Sequence, residues 1–119
     1  MSIFTIICAS LVAIEHFYIM YLETIATHSD ATSRVFGMEK EELQRKSVTT
    51  LFKNQGIYNG LLSTFLCYGI VTGNLEIVTI FTLFVIGAAG YGAISSSPKI
   101  LLTQGGPAIV TLISILLVK

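Results

Sequence analysis

The sequence predicts an all-α, polytopic membrane protein: four transmembrane helices in a compact bundle, with a cytoplasmic surface helix between the first and the second. Three observations carry this. Hydrophobic residues make up 53% of the 119 and charged residues only 12%, against a usual charged share of about 25%. Four apolar runs recur along the chain, each close to the roughly 20 helical residues that cross about 30 Å of hydrocarbon. The charges are confined, most of them falling between Glu23 and Lys53. A soluble domain this short has a large surface for its volume, and seven acidic and seven basic side chains could not cover it.

The spans fall at residues 3–22, 55–72, 77–94 and 100–118 of one integral membrane domain. The second has the shortest apolar run and reaches its length by extending back through Asn54 and Gln55. Strands are excluded, because an open sheet cannot satisfy its edges in lipid and four strands cannot close a membrane barrel. The first run is not read as a secretory signal: it lacks a basic start, and Glu15 and His16 interrupt it.

The connections set the topology. Residues 72–76 (Thr-Gly-Asn-Leu-Glu) and 95–99 (Ser-Ser-Ser-Pro-Lys) are tight turns, so consecutive helices are antiparallel neighbours. The only long link runs over 24–53. Its stretch 27–33 is polar and loop-like, whereas 39–53 has an amphipathic pattern. Leu43, Val48, Leu51 and Phe52 share one helical face, and Lys40, Glu41, Gln44 and Arg45 fall mostly on the other. Such a helix lies on the membrane surface or packs on the end of the bundle. Arg34, Lys40, Arg45, Lys46 and Lys53 lie in this link and Lys99 in the third, whereas the second carries only Glu76. Basic residues stay in the cytoplasm. The 24–54 link is therefore expected to be cytoplasmic and both termini outside the plasma membrane, with Lys119 alone opposing.

Every expected span carries polar residues in its cytoplasmic half. At a rise of about 1.5 Å per residue, Glu15 and His16 lie roughly 10 Å from the inner end of helix one. Tyr58, Asn59 and Tyr91 lie about 5 Å in, and Gln104 about 8 Å. Unpaired polar groups in hydrocarbon cost several kcal/mol, roughly, so these groups should face inward and meet. Glu15 is the sharpest candidate, since an ionisable residue inside a span marks a proton or solute pathway by default; the alternative is a carboxyl that pins helix packing. His16 points roughly 100° away from it and shares a face with Glu23. Gln55 and Asn59 are i,i+4 neighbours whose amides can act together. Gly56 and Gly60 form a GxxxG that permits close helix approach, as does the small-residue stretch from Gly87 to Ala93. Pro107 after Gly105 and Gly106 is expected to kink helix four.

These stretches carry a resemblance. Glu15-His16-Phe17-Tyr18 through Glu23, Phe36-Gly37, Asn54-Gln55-Gly56-Ile57-Tyr58-Asn59-Gly60, Gly90-Tyr91-Gly92 and Gln104-Gly105-Gly106-Pro107-Ala108 occur in the order found in the small membrane family catalogued as domain of unknown function 1304. The chain resembles that family over nearly its whole length. The resemblance implies a four-helix bacterial membrane protein, with no assigned activity and no catalytic residue to carry over.

The candidate ligand-binding or proton-handling residues are accordingly Glu15, His16, Tyr18, Glu23, Asn54, Gln55, Tyr58, Asn59, Tyr91 and Gln104. No cofactor or metal is expected: Cys8 and Cys67 sit in apolar stretches without CxxC spacing or clustered histidines. No basic patch points to nucleic acid. The expected partners are the lipid bilayer, an unknown small-molecule ligand and, for a transport path, a second copy of the chain. Small-solute or proton-coupled transport fits the polar layer best. A membrane-embedded enzyme acting on a lipid or other apolar molecule is the alternative, with Glu15 or His16 as acid or base. A structural or partner-binding protein, with the polar layer as helix glue, comes third.

Overall fold

Backbone amides in an apolar chain must be satisfied within their own segment, and the computed structural model accordingly shows helices throughout, with no strand among the described residues. It describes residues 1–96 and 102–118. The end of the expected 95–99 turn with Lys99, the first residues of the 100–118 run and Lys119 lie outside the described residues. In chain order the helices are α1 (Ile3–Thr24), α2 (Asp30–Phe36), α3 (Lys40–Leu43), α4 (Lys46–Val71), α5 (Leu75–Ser95) and α6 (Gly106–Leu117). Two compact units are described: residues 1–15 with 63–119, and residues 16–62.

Two described helices, not four, are long and apolar enough to cross a membrane: α1 with 22 residues and α5 with 21. In α4 the charges of Lys46 and Lys53 and the amides of Asn54, Gln55 and Asn59 dilute the apolar run. With 12 residues, α6 is about 18 Å long, short of the hydrocarbon thickness. The expected mid-helix kink at Pro107 is instead a helix start. Gln104 and Gly105 are not helical, and Pro107 sits in the first turn of α6, where its missing N–H costs nothing.

The link also differs from expectation. The stretch expected as a loop over 27–33 leads into α2. Ser29 caps this helix, its Oγ accepting from the Thr32 N–H at 3.2 Å, and Gly37 closes it in the left-handed region at φ 63°. The expected 39–53 helix, read as running on into the second span, is interrupted after its first turn. It stops at Leu43, and α4 starts at Lys46 and continues unbroken into the apolar run. The break is held by Leu43, fully buried, and by the Thr49 hydroxyl, which donates to the Leu43 carbonyl at 2.7 Å.

In the first unit, α5 packs on α6, and the turn between α4 and α5 is formed by Gly73 at φ 65° with Asn74 capping the Ile77 N–H at 3.1 Å. Hydroxyls punctuate its apolar core. Thr5 and Ser114 bond side chain to side chain at 2.7 Å, and Ser63 donates to the Ala13 carbonyl at 2.9 Å. These hydroxyls inside apolar helices thus each have a partner.

In the second unit the end of α1 is tied to the link. Thr32, fully buried, donates to the Ala26 carbonyl at 2.6 Å. The Phe36 and Phe52 rings meet edge to face, 5.0 Å apart. Lys40 pairs with Asp30 at 2.6 Å on the surface.

Replacing Thr32 with Val keeps the volume but removes a buried hydroxyl that donates to the Leu22 and Ala26 carbonyls, the latter keeping only the Ser29 N–H. A loss of about 1–3 kcal/mol is expected, read as a lower melting temperature in detergent. A pH effect is expected at Asp30. The hydrogen bond and charge of Lys40 hold its carboxyl below the ordinary value of 3.8. Folding thus favours the ionised form, so the stabilisation is complete above that value and fades as acid protonates the folded carboxylate. Melting curves of the protein and of Asp30→Asn should differ at neutral pH and converge in acid.

Candidate functional site

The last turns of α1 present Met20, Glu23 and Thr24, and α4 meets them with Gly56, Asn59 and Gly60. The two glycines make the meeting close. A Cβ on Gly56 would collide with Thr24 Cγ2 and lie 3.1 Å from Glu23 Cβ and 3.3 Å from the Met20 carbonyl oxygen. A Cβ on Gly60 would collide with Met20 Sδ. This is the backbone approach that a GxxxG spacing allows.

At this crossing Asn59 Nδ2 donates to Glu23 Oε1 at 2.7 Å. The Glu23 side chain belongs to a residue only 3% exposed, and among the described residues no lysine or arginine pairs with it. Its backbone is fixed as well: the Thr27 hydroxyl donates to the Glu23 carbonyl at 2.8 Å, and the Thr24 hydroxyl to the Met20 carbonyl at 2.6 Å. The result, among the described residues, is a buried carboxyl with one amide donor and no lysine or arginine beside it. Such a group can bind and release a proton, or accept a small cation or hydrogen-bond donor.

The other sequence candidates are distributed differently. In the second unit His16 is buried, at 4% exposure. Tyr18, Asn54, Gln55 and Tyr58 are exposed. The i,i+4 pairing of Gln55 with Asn59 is not used: Asn59 turns its amide to Glu23, while Gln55 stays at the surface. In the first unit Glu15 and Gln104 are half-buried and Tyr91 is exposed. The structure thus brings Glu23 and Asn59 together and leaves the tyrosines, Asn54 and Gln55 on the outside. Among the described residues no cluster of three His, Cys, Asp or Glu side chains is placed to hold a metal ion. An apolar cleft of about 260 Å³ in the first unit, lined by Cys8, Leu11, Pro107 and Val110, offers no polar group for chemistry. Sequence reasoning missed Thr27 and Thr24 as supports of the pair; their signal is a hydroxyl four residues after Glu23 or Met20, at the end of α1 or in the turn that follows it.

Gly56→Ala is expected to force the crossing apart, at about 1–3 kcal/mol of stability. It should also lengthen the Glu23–Asn59 bond, seen as a shift of the Asn59 side-chain amide resonances. Gly87→Ala, where a Cβ meets nothing, is the neutral control.

Comparison with known proteins adds a family. The model of a family described as "Protein of unknown function (DUF1304)" matches residues 10–116. The chain is similar to "Uncharacterized protein YpaA" of Lactococcus lactis subsp. lactis (strain IL1403), with 60% identity over 116 residues, covering 96% of this chain and 98% of that protein. No solved structure matches it. The chain, with its Glu23–Asn59 crossing inside the matched region, belongs to the DUF1304 family.

Proposed function

We propose that the chain crosses the plasma membrane four times and serves small-solute or proton-coupled transport, with Glu23 and Asn59 as the group that takes up the proton or solute. One observation carries the functional part: a buried carboxyl bonded to a neutral amide, with no lysine or arginine pairing with it among the described residues. Helix glue alone would be served by two amides or two hydroxyls, as at Thr5 and Ser114. An ionisable group in an apolar setting is costly, and where it is kept it marks an ion or proton path.

The membrane reading rests on the surface. Phe4, Ile7, Leu11 and Ile14 of α1, Ile80, Leu83 and Phe84 of α5, and Ile113, Leu116 and Leu117 of α6 are each about half or more exposed. Contiguous apolar surface on this scale marks contact with lipid or a partner. In this reading α1 and α5 are spans one and three, α4 from Asn54 onward is the second, and α6, with helical Leu102 and Thr103 before it, belongs to the fourth. The basic link over 24–54 is cytoplasmic and both termini are outside. Two copies would then complete a transport path.

The test is flux in sealed liposomes carrying an interior pH reporter, under an imposed proton gradient and with candidate cations and metabolites outside. Glu23→Gln should reduce the protein-dependent signal at least about 10-fold, whereas Glu39→Gln, in the exposed link, should leave it unchanged. Equal flux for the protein and Glu23→Gln contradicts the proposal.

A further inference from the structure

The first turns of α4 carry an exposed stripe whose chemistry changes along its length. Lys46, Thr50, Lys53, Ile57 and Leu61 follow one another at intervals of four, three, four and four residues, which places them on one helical face. All five are exposed. The upper part is cationic and the lower part is apolar, with Tyr58 exposed beside Ile57. The two lysines are not spent on carboxylates. Asp30 is held by Lys40 at 2.6 Å and Glu42 faces Arg45 at 3.5 Å, and among the described residues no acid pairs with Lys46 or Lys53.

We infer that Lys46 and Lys53 form a docking surface for the headgroups of anionic phospholipids, with Ile57, Tyr58 and Leu61 against the acyl chains. Charge complementarity selects the lipid. Two unpaired ammonium groups suit a phosphodiester, and the apolar residues immediately below suit the tails of the same molecule. The dimensions agree. Lys46 and Lys53 are about 10 Å apart along the helix, and Ile57 is about 6 Å beyond Lys53. A lysine stem can lie on the apolar surface while its ammonium reaches back to the phosphate layer. Asn59 is about 9 Å deeper than Lys53, so the same boundary puts the Glu23–Asn59 bond below the headgroups. The inference rests on the membrane reading above, and not on transport.

The test uses the full chain in mild detergent, titrated with dioctanoyl phosphatidylglycerol, dioctanoyl phosphatidylcholine or glycerol phosphate. Phosphatidylglycerol should raise the melting temperature by several degrees, and the other two should not. The Lys46→Gln, Lys53→Gln double variant should lose at least half of that rise, as should the protein in high salt. Glu23→Gln should keep it, which separates this inference from the transport reading. An equal rise with phosphatidylcholine, a rise with glycerol phosphate alone, or a full rise in the double variant overturns the proposal. Position is checked separately, since the chain has no tryptophan. In vesicles with brominated acyl chains, a tryptophan introduced by Ile57→Trp should be quenched and one introduced by Thr50→Trp should not. The reverse, or equal quenching, also overturns it.

Discussion

The hydrogen bond from Asn59 to Glu23 depends on two glycines, and much of the second unit is arranged to keep that bond possible. A 2.7 Å contact between a carboxyl near the end of α1 and an amide on α4 needs the helices close enough that side chains at the crossing point are absent. Gly56 and Gly60 supply that absence, facing Met20, Glu23 and Thr24 with no room for a Cβ. The gain is polar and the means is steric. A buried carboxyl without a partner would lose its hydration and recover nothing, whereas a charge-assisted bond at this length recovers part of it.

The surrounding hydroxyls serve the same end. Thr24, Thr27 and Thr32 each donate to a main-chain carbonyl within the α1 end and its following turn. The link is thereby folded back by hydrogen bonds, with the Phe36–Phe52 contact as its apolar closure. In the first unit Thr5, Ser63 and Ser114 join helices in the same manner. Small hydroxyls add polar contacts without thickening the helix, which suits elements whose outer faces are Ile, Leu and Phe.

Much of this is legible in the sequence, and the gaps have physical causes. The low charge and long apolar runs require helices, and helices are what form. The GxxxG of Gly56 and Gly60 signals close approach but cannot name Met20 as its neighbour. Glu23 and Asn59 are both recognisable as polar residues in apolar company. Their pairing is not, because the two residues are 36 positions apart and meet only through how their helices are set in rotation. Glu15 outranks Glu23 in the sequence because it interrupts an apolar run, while Glu23 sits beside polar neighbours that mimic an ordinary helix end. Seven residues are too few for α2 to display a helical period, so only Ser29 and Gly37 betray it. The break after Leu43 is set by a tertiary bond from Thr49, which no amphipathic pattern encodes. The dilution of α4 by Lys46, Lys53 and three amides likewise separates a helix of 26 residues from an evident span.

The most direct measurement is a double-mutant cycle on Glu23→Ala and Asn59→Ala, by reversible unfolding in bicelles. If the two side chains form a bond sheltered from water, their coupling should be about 1–3 kcal/mol and should hardly change with salt, since a buried pair is little screened. Additive effects, or a coupling abolished by salt, would place the two groups in water and remove the physical basis for a buried site at this crossing.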